Sequence, residues 1–369
     1  MKRFIQRDLL IFCVLIIFGL QSSCKKSSNA ITPDKPVEGD NYTTVTSSGT
    51  LQLSEARADL SAAVSGSKVM FAGGKTTSSV SNTVDIYDTG TGTWTIDHLS
   101  SSRSNLAGAA TTGRILFAGG GDPSYTPNIV DIFDVSSMTW SKNQLSVARY
   151  DLSAATVGNK VLFAGGTAPG YVYSKTVDIY DSSTGFWSTA QLSVARSLIA
   201  STTIANKAFF AGGWSAQSTA TVDIYDGNTG TWATSSLSKA RCSLAGAAAG
   251  NKVVFAGGLD MVKDQVYPIV DIYDLGTGTW TTAQLSESRF SISAIAVGNK
   301  LLFAGGYKKK PSSTVDIYDV NTGVWTTVQM TEAHAEAAIA SVGNKVYIAG
   351  GYNAAGLLSK TVDILTLSK

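Results

Sequence analysis

The chain has 369 residues, a formal net charge of +2 and 15% charged residues, so it lacks the broad basic field that holds nucleic acid by counterion release. Aromatics make up 9%, and 36 glycines outnumber 7 prolines, a balance suited to short strands joined by tight turns. Length alone would suggest two or three domains, but an internal repeat overrides that count.

The N-terminus is laid out for export. Lys2, Arg3 and Arg7 precede an apolar run over residues 9–20, followed by the small residues Ser22 and Ser23. The run is shorter than the roughly 20 residues a bilayer-spanning helix needs. Then comes Cys24, and "GLQSSC" resembles the lipobox of bacterial lipoproteins, in which the cysteine is lipidated and becomes the mature N-terminus. Leu20 stands four residues before the cysteine rather than three, a relaxed form similar to those of the Bacteroidota. The plain alternative is ordinary signal cleavage with Cys24 as a bystander. The resemblance implies a signal over 1–23, lipidation at Cys24 and a polar tether over 24–42, too poor in apolar residues to fold. In Bacteroidota lipoproteins an acidic run after the cysteine tends to mark cell-surface export; none follows Cys24, so the resemblance implies an outer-membrane position facing the periplasm, with the cell surface as the alternative. Cys13 lies in the signal, so Cys242 is the one cysteine left in the folded part and no disulfide can form there.

From residue 43 onward the chain repeats itself. Glycine pairs recur seven times, from Gly73 and Gly74 to Gly350 and Gly351. Six tryptophans from Trp94 to Trp325 keep the same beat, as do six arginines from Arg57 to Arg289, with His334 in the seventh place. Each unit also carries a VDI motif whose aspartate runs from Asp85 to Asp363. Within 196–237 the pattern predicts four strands: "LIASTTI", "KAFFAGG", "TVDIYD" and "TWATSSL". Four short antiparallel strands per unit, stacked on the next unit, make a β-propeller blade. The glycine pairs then mark places that need positive φ or a close pass beside a neighbouring blade. Turns such as 181-DSSTGFW-187 read as hairpin chemistry, the aspartate accepting from the turn, rather than as calcium loops.

Arginine, apolar strand, Gly-Gly, variable loop, Tyr-Asp and tryptophan together resemble the Kelch repeat, over roughly 50–365. The resemblance implies an all-β, seven-bladed Kelch-type β-propeller occupying 43–369. The last unit stops at Lys369 without its tryptophan strand. Aligning 48-SGTLQLSEAR-57 on 280-WTTAQLSESR-289 puts Ser48 at the tryptophan position and Leu53 on Leu285, so residues 43 to 53 are expected to close the ring as its last outer strand.

Function is expected on the face where the loops between the second and third strands emerge. Six of those seven loops carry an exposed-looking aromatic: Tyr125, Tyr171 with Tyr173, Trp214, Tyr267, Tyr307 and Tyr352. Such rings suit stacking on sugars or anchoring a peptide, unless they pack down on their own loops. The arginines and aspartates read as structural pairs repeated around the ring. Kelch domains that bind peptides use residues near the position two beyond the arginine, which here runs Asp59, Asn105, Asp151, Leu198, Ser243, Ser291 and Glu336. Glu336, Asp59, Asn105 and Asp151 are expected to form a polar arc, with Leu198 across from it.

Kelch-like propellers include a copper radical oxidase and a sialic-acid mutarotase. With His98 on an outer strand and His334 in the arginine register, the chain lacks the imidazoles of a copper site, and no cofactor or metal is expected. A mutarotase would need only acids near the opening, which the Glu336, Asp59 and Asp151 arc could offer. The reading is a non-catalytic, monomeric binding protein for a glycan or protein segment, held to the membrane by its lipid alone. The alternatives are a sugar mutarotase and a structural spacer.

Overall fold

A computed structural model describes residues 40–122 and 124–369; the signal, Cys24 and most of the tether lie outside the described residues. Seven four-stranded antiparallel sheets make up a seven-bladed β-propeller, and the described residues contain no helix. Blade 1 runs outward through Ser61–Ser65, Lys68–Ala72, Thr83–Asp88 and Thr93–His98. Every residue of its first strand is buried, whereas the outer strand is mostly exposed. That gradient explains why the inner strands are written in small and apolar residues and the outer ones in threonine and serine.

The core lies between blades. Met70, Val84 and Ile86 of blade 1 pack with Ile115, Phe117 and Phe133 of blade 2, and equivalent layers recur around the ring. Fully burying one such side chain is worth about 1.5–3 kcal/mol. Each of the six repeat tryptophans leans on the tyrosine or phenylalanine paired with it across the sheet, as Trp94 does on Tyr87 with centroids 4.9 Å apart.

Blade 7 is built from both ends of the folded chain. Ala338–Val342, Lys345–Ala349 and Thr361–Ser368 supply three strands, and Thr44–Gln52 pairs antiparallel with the last of them. Leu53 is buried, and its amide bonds the Lys360 carbonyl just as that of Leu285 bonds Pro268 (2.7 and 2.8 Å), so the aligned leucine is in register. Ser48 is not at the tryptophan position. Ser47 faces Leu365, because a bulge at Ser48 and Gly49 (φ 123°) inserts one extra residue. Tyr42, in the stretch read as tether, is already buried and bonds Asn299 through its amide (2.7 Å). Since Thr44 faces Ser368 and Gln52 faces Thr361, the chain joins the ring at the face of the tight turns, opposite the variable loops.

The glycine pairs do what the pattern implied. Gly73 and Gly74 have φ of 64° and 110°, and a Cβ on Gly74 would stand 2.6 Å from the Ala58 carbonyl oxygen. The Gly74 amide meanwhile donates to Arg103 O of the next blade at 2.8 Å.

Candidate functional site

Each arginine of the repeat is completely or almost completely buried and paired with the aspartate of its unit: Arg57 with Asp85, Arg196 with Asp223 at 2.7 Å, Arg241 with Asp271 at 2.6 Å. Arg57 also donates to the Gly73 and Thr83 carbonyls (2.8 and 2.7 Å), while the other oxygen of Asp85 accepts the Ser54 amide at 3.0 Å. His334 takes the same place through Nε2 to Asp363 at 2.9 Å. These buried pairs tie each blade's entry to its second and third strands and are not open to a ligand.

Beyond each arginine the chain rises to the central opening. The residue after it pairs with the residue after the glycine pair: Ala58 with Lys75, Tyr150 with Thr167, Ser197 with Trp214, Cys242 with Leu259, Phe290 with Tyr307, Ala335 with Tyr352. The next residue turns left-handed in all seven blades: Asp59 (φ 65°), Asn105 (55°), Asp151 (52°), Leu198 (54°), Ser243 (52°), Ser291 (51°) and Glu336 (58°). Their backbones are joined from blade to blade. The Asn105 amide donates to Asp59 O at 3.1 Å, Asp151 to Asn105 O at 3.1 Å, Leu198 to Asp151 O at 3.3 Å, Ser243 to Leu198 O at 3.2 Å and Ser291 to Ser243 O at 2.9 Å. Asp59 reaches Glu336 O at 3.4 Å across the closing blade. The variable position is thus a hoop of peptide groups around the opening, and its side chains are what differ.

Those side chains divide the mouth. Glu336, Asp59, Asn105 and Asp151 are consecutive around the hoop, as expected, but Leu198 is the immediate neighbour of Asp151 rather than its opposite. Asp59 and Glu336 are buried, whereas Asn105 and Asp151 are partly open. Asp59 meets the Lys75 ammonium at 2.7 Å. The Tyr352 phenol is raised by burial and by the nearby Glu336 carboxylate, with Lys75 opposing. On the other side Leu198, Cys242, Leu259 and Phe290 form an apolar cluster against which Trp214, Met261, Val266 and Tyr307 pack.

The aromatic rim is less open than the loops suggested. Tyr125 and Tyr171 are exposed, with the Tyr125 hydroxyl 3.1 Å from Ser101 Oγ. Tyr173, Trp214, Tyr267, Tyr307 and Tyr352 are partly buried, Tyr307 standing edge-on to Phe290 at 5.6 Å. The cause is backbone pairing: Trp214, Tyr307 and Tyr352 sit in β-bridges that hold them against the hoop. Two loops fold into small hairpins, Thr167–Ala168 with Val172–Tyr173 and Leu259–Asp260 with Gln265–Val266, on either side of blade 4.

Sequence reasoning missed Tyr150 and Lys75. Tyr150 occupies the position after the arginine, where five blades have the small residues Ala58, Ser104, Ser197, Cys242 or Ala335 and only Phe290 is as large, and a phenol there was the available signal. Among the described residues, no group of three or more His, Cys, Asp or Glu side chains is arranged to hold a metal ion.

Seven stacked four-stranded sheets with buried Arg–Asp pairs and glycine-pair corners define a β-propeller that carries Kelch motifs. The Kelch motif matches residues 56–96 and 288–329. Among solved structures the fold is similar to that of YjhT, with a TM-score of 0.60 and 15% identity over 75% of this chain and 98% of the other. At that identity the likeness speaks to the fold alone. No curated protein matches the sequence.

Proposed function

We propose that this protein is a lipid-tethered, non-catalytic binding protein of the bacterial envelope that recognises a glycan or a protein segment on the loop-rich face. One observation carries the reading. The hoop requires positive φ in all seven blades, a conformation that costs an L-residue roughly 1–2 kcal/mol and that glycine adopts freely. The neighbouring corners use glycine every time, yet the hoop position never does. It keeps a carboxylate, an amide, a hydroxyl or an alkyl group against that cost, which is the pattern of strain retained for function. The tether, with Cys24 as the lipid site, joins at the turn face and so presents the loops away from an outer membrane, towards the periplasm.

Asn105→Gly and Asp151→Gly, at the two partly open polar positions of the hoop, separate folding from recognition. Both variants should melt at or above the temperature of the parent protein, and both should lose capture of envelope glycans and protein fragments on arrays. Undiminished capture by both would remove the reading. A second reading, sugar mutarotation, draws on the adjacency of Asp59 and Glu336 in the hoop and the ammonium of Lys75 beside them. Anomer exchange followed by NMR, with Glu336→Gln as control, tests it: exchange no faster with protein than without discards it. A structural spacer, the third alternative, would show neither capture nor exchange.

A further inference from the structure

The blade 3 and blade 4 sector differs from the rest of the mouth. Tyr150 follows Arg149 and pairs through its backbone with Thr167, the first residue of the small hairpin. That hairpin turns at Tyr171, left-handed at φ 62° and exposed, and returns through Val172 and Tyr173. The Tyr173 hydroxyl accepts the Trp214 indole N–H at 2.8 Å, so the next blade's ring is fastened to it. Asp151 stands at the base, its peptide group bonded on one side to Asn105 and on the other to Leu198, with its side chain partly open. Tyr150 is itself buried, and its phenol is raised by that burial first and then by Asp151, Tyr171 and Tyr173, with the Thr167 hydrogen bond opposing, so it stays a neutral ring.

We propose that Tyr150, Asp151, Tyr171, Tyr173 and Trp214 form a site for the basic side chain of a protein segment. A cation is attracted to aromatic faces and to a carboxylate together. The long alkyl stem of lysine or arginine matches the apolar neighbours Val172, which is exposed, and Leu198. A sugar could also stack on these rings and bond their phenol hydroxyls, but a carboxylate set among aromatic faces and alkyl groups favours a positive charge. The inference rests on the loop face being a binding face and narrows what it binds.

The test uses the full chain and the blocked tripeptides Ala-Lys-Ala, Ala-Arg-Ala and Ala-norleucine-Ala. The readout is the Trp214 indole N–H resonance, assigned with Trp214→Phe. A saturable shift is expected with the lysine or arginine peptide, with affinity at least roughly tenfold weaker for norleucine and in Asp151→Asn. Asparagine suits the left-handed backbone and stands natively at position 105, so this variant keeps the hoop. An equal response from the norleucine peptide, an equal response in Asp151→Asn, or silence from all three peptides would overturn the proposal. A chitosan trimer that shifts Trp214 while the peptides are silent would also overturn it, yet leave the loop face as a binding face. If array capture still falls in the glycine variants, only the basic-side-chain inference is lost.

Discussion

The two ends of each blade meet the same geometric demand differently. At the turn face, six turns repeat one device: the aspartate Oδ1 accepts the amide two residues on, as in Asp88 with Gly90 at 2.9 Å and Asp274 with Gly276 at 2.7 Å. In five of the six the other oxygen faces a cation at the start of the second strand, such as Lys68 at 2.8 Å in blade 1 and Lys300 at 2.6 Å in blade 6. Where the turn goes left-handed it uses glycine in five cases and Met138 in one. At the loop face, the hoop goes left-handed seven times with no glycine, and no two adjacent loops share a sequence. The turn face is repeated because its side chains serve only to hold the turns. Varied side chains held at strained positions mark the end whose chemistry matters.

The contrast can be broken at three levels. Arg103→Met attacks the buried layer beneath both faces, leaving Asp131 without its cation and the Gly119 carbonyl without its donor (2.7 Å). Removing one partner of a buried pair costs about 3–5 kcal/mol, so denaturant melts should show a large loss. Met138→Gly relieves the one turn that resembles the hoop: it is expected to gain about 1 kcal/mol in the same assay and to leave ligand capture unchanged. If it lost capture, the turn face would not be the inert end.

The smallest effect concerns pH. The Ser136 hydroxyl and the Ser137 amide hold the Asp134 carboxyl down to about 2. A depressed carboxylate stabilises the fold above its unfolded value of about 3.9, and that contribution is lost as pH falls towards 2. NMR titration should place the Asp134 midpoint near 2, and Ser136→Ala should raise it. A parent midpoint near 4 would mean that the turn device is decorative.

Much of this was legible because each blade states its own rules locally. The glycine pairs, the buried Arg–Asp layer and closure by an N-terminal strand all follow from spacing, since a unit of fixed length must put like residues in like places. The Ser48 register failed by one because a bulge costs little on an exposed outer strand and leaves only Gly49 as its trace. The exposed aromatic rim fails for five of its seven rings, and for four of them the reason is backbone pairing that the loop sequence does not announce: β-bridges at Trp214, Tyr307 and Tyr352 and a small hairpin at Tyr173.

Sequence alone determined the number of blades, the layer of buried pairs and the two faces, because each depends on residues recurring at a fixed interval. Tertiary structure alone decided the sign of φ at the hoop, the backbone hydrogen bonds that link Asp59 through to Ser291, and the meeting of Tyr150, Asp151, Tyr173 and Trp214. Those features arise between blades, where residues some 45 apart in the chain become neighbours only once the ring has closed.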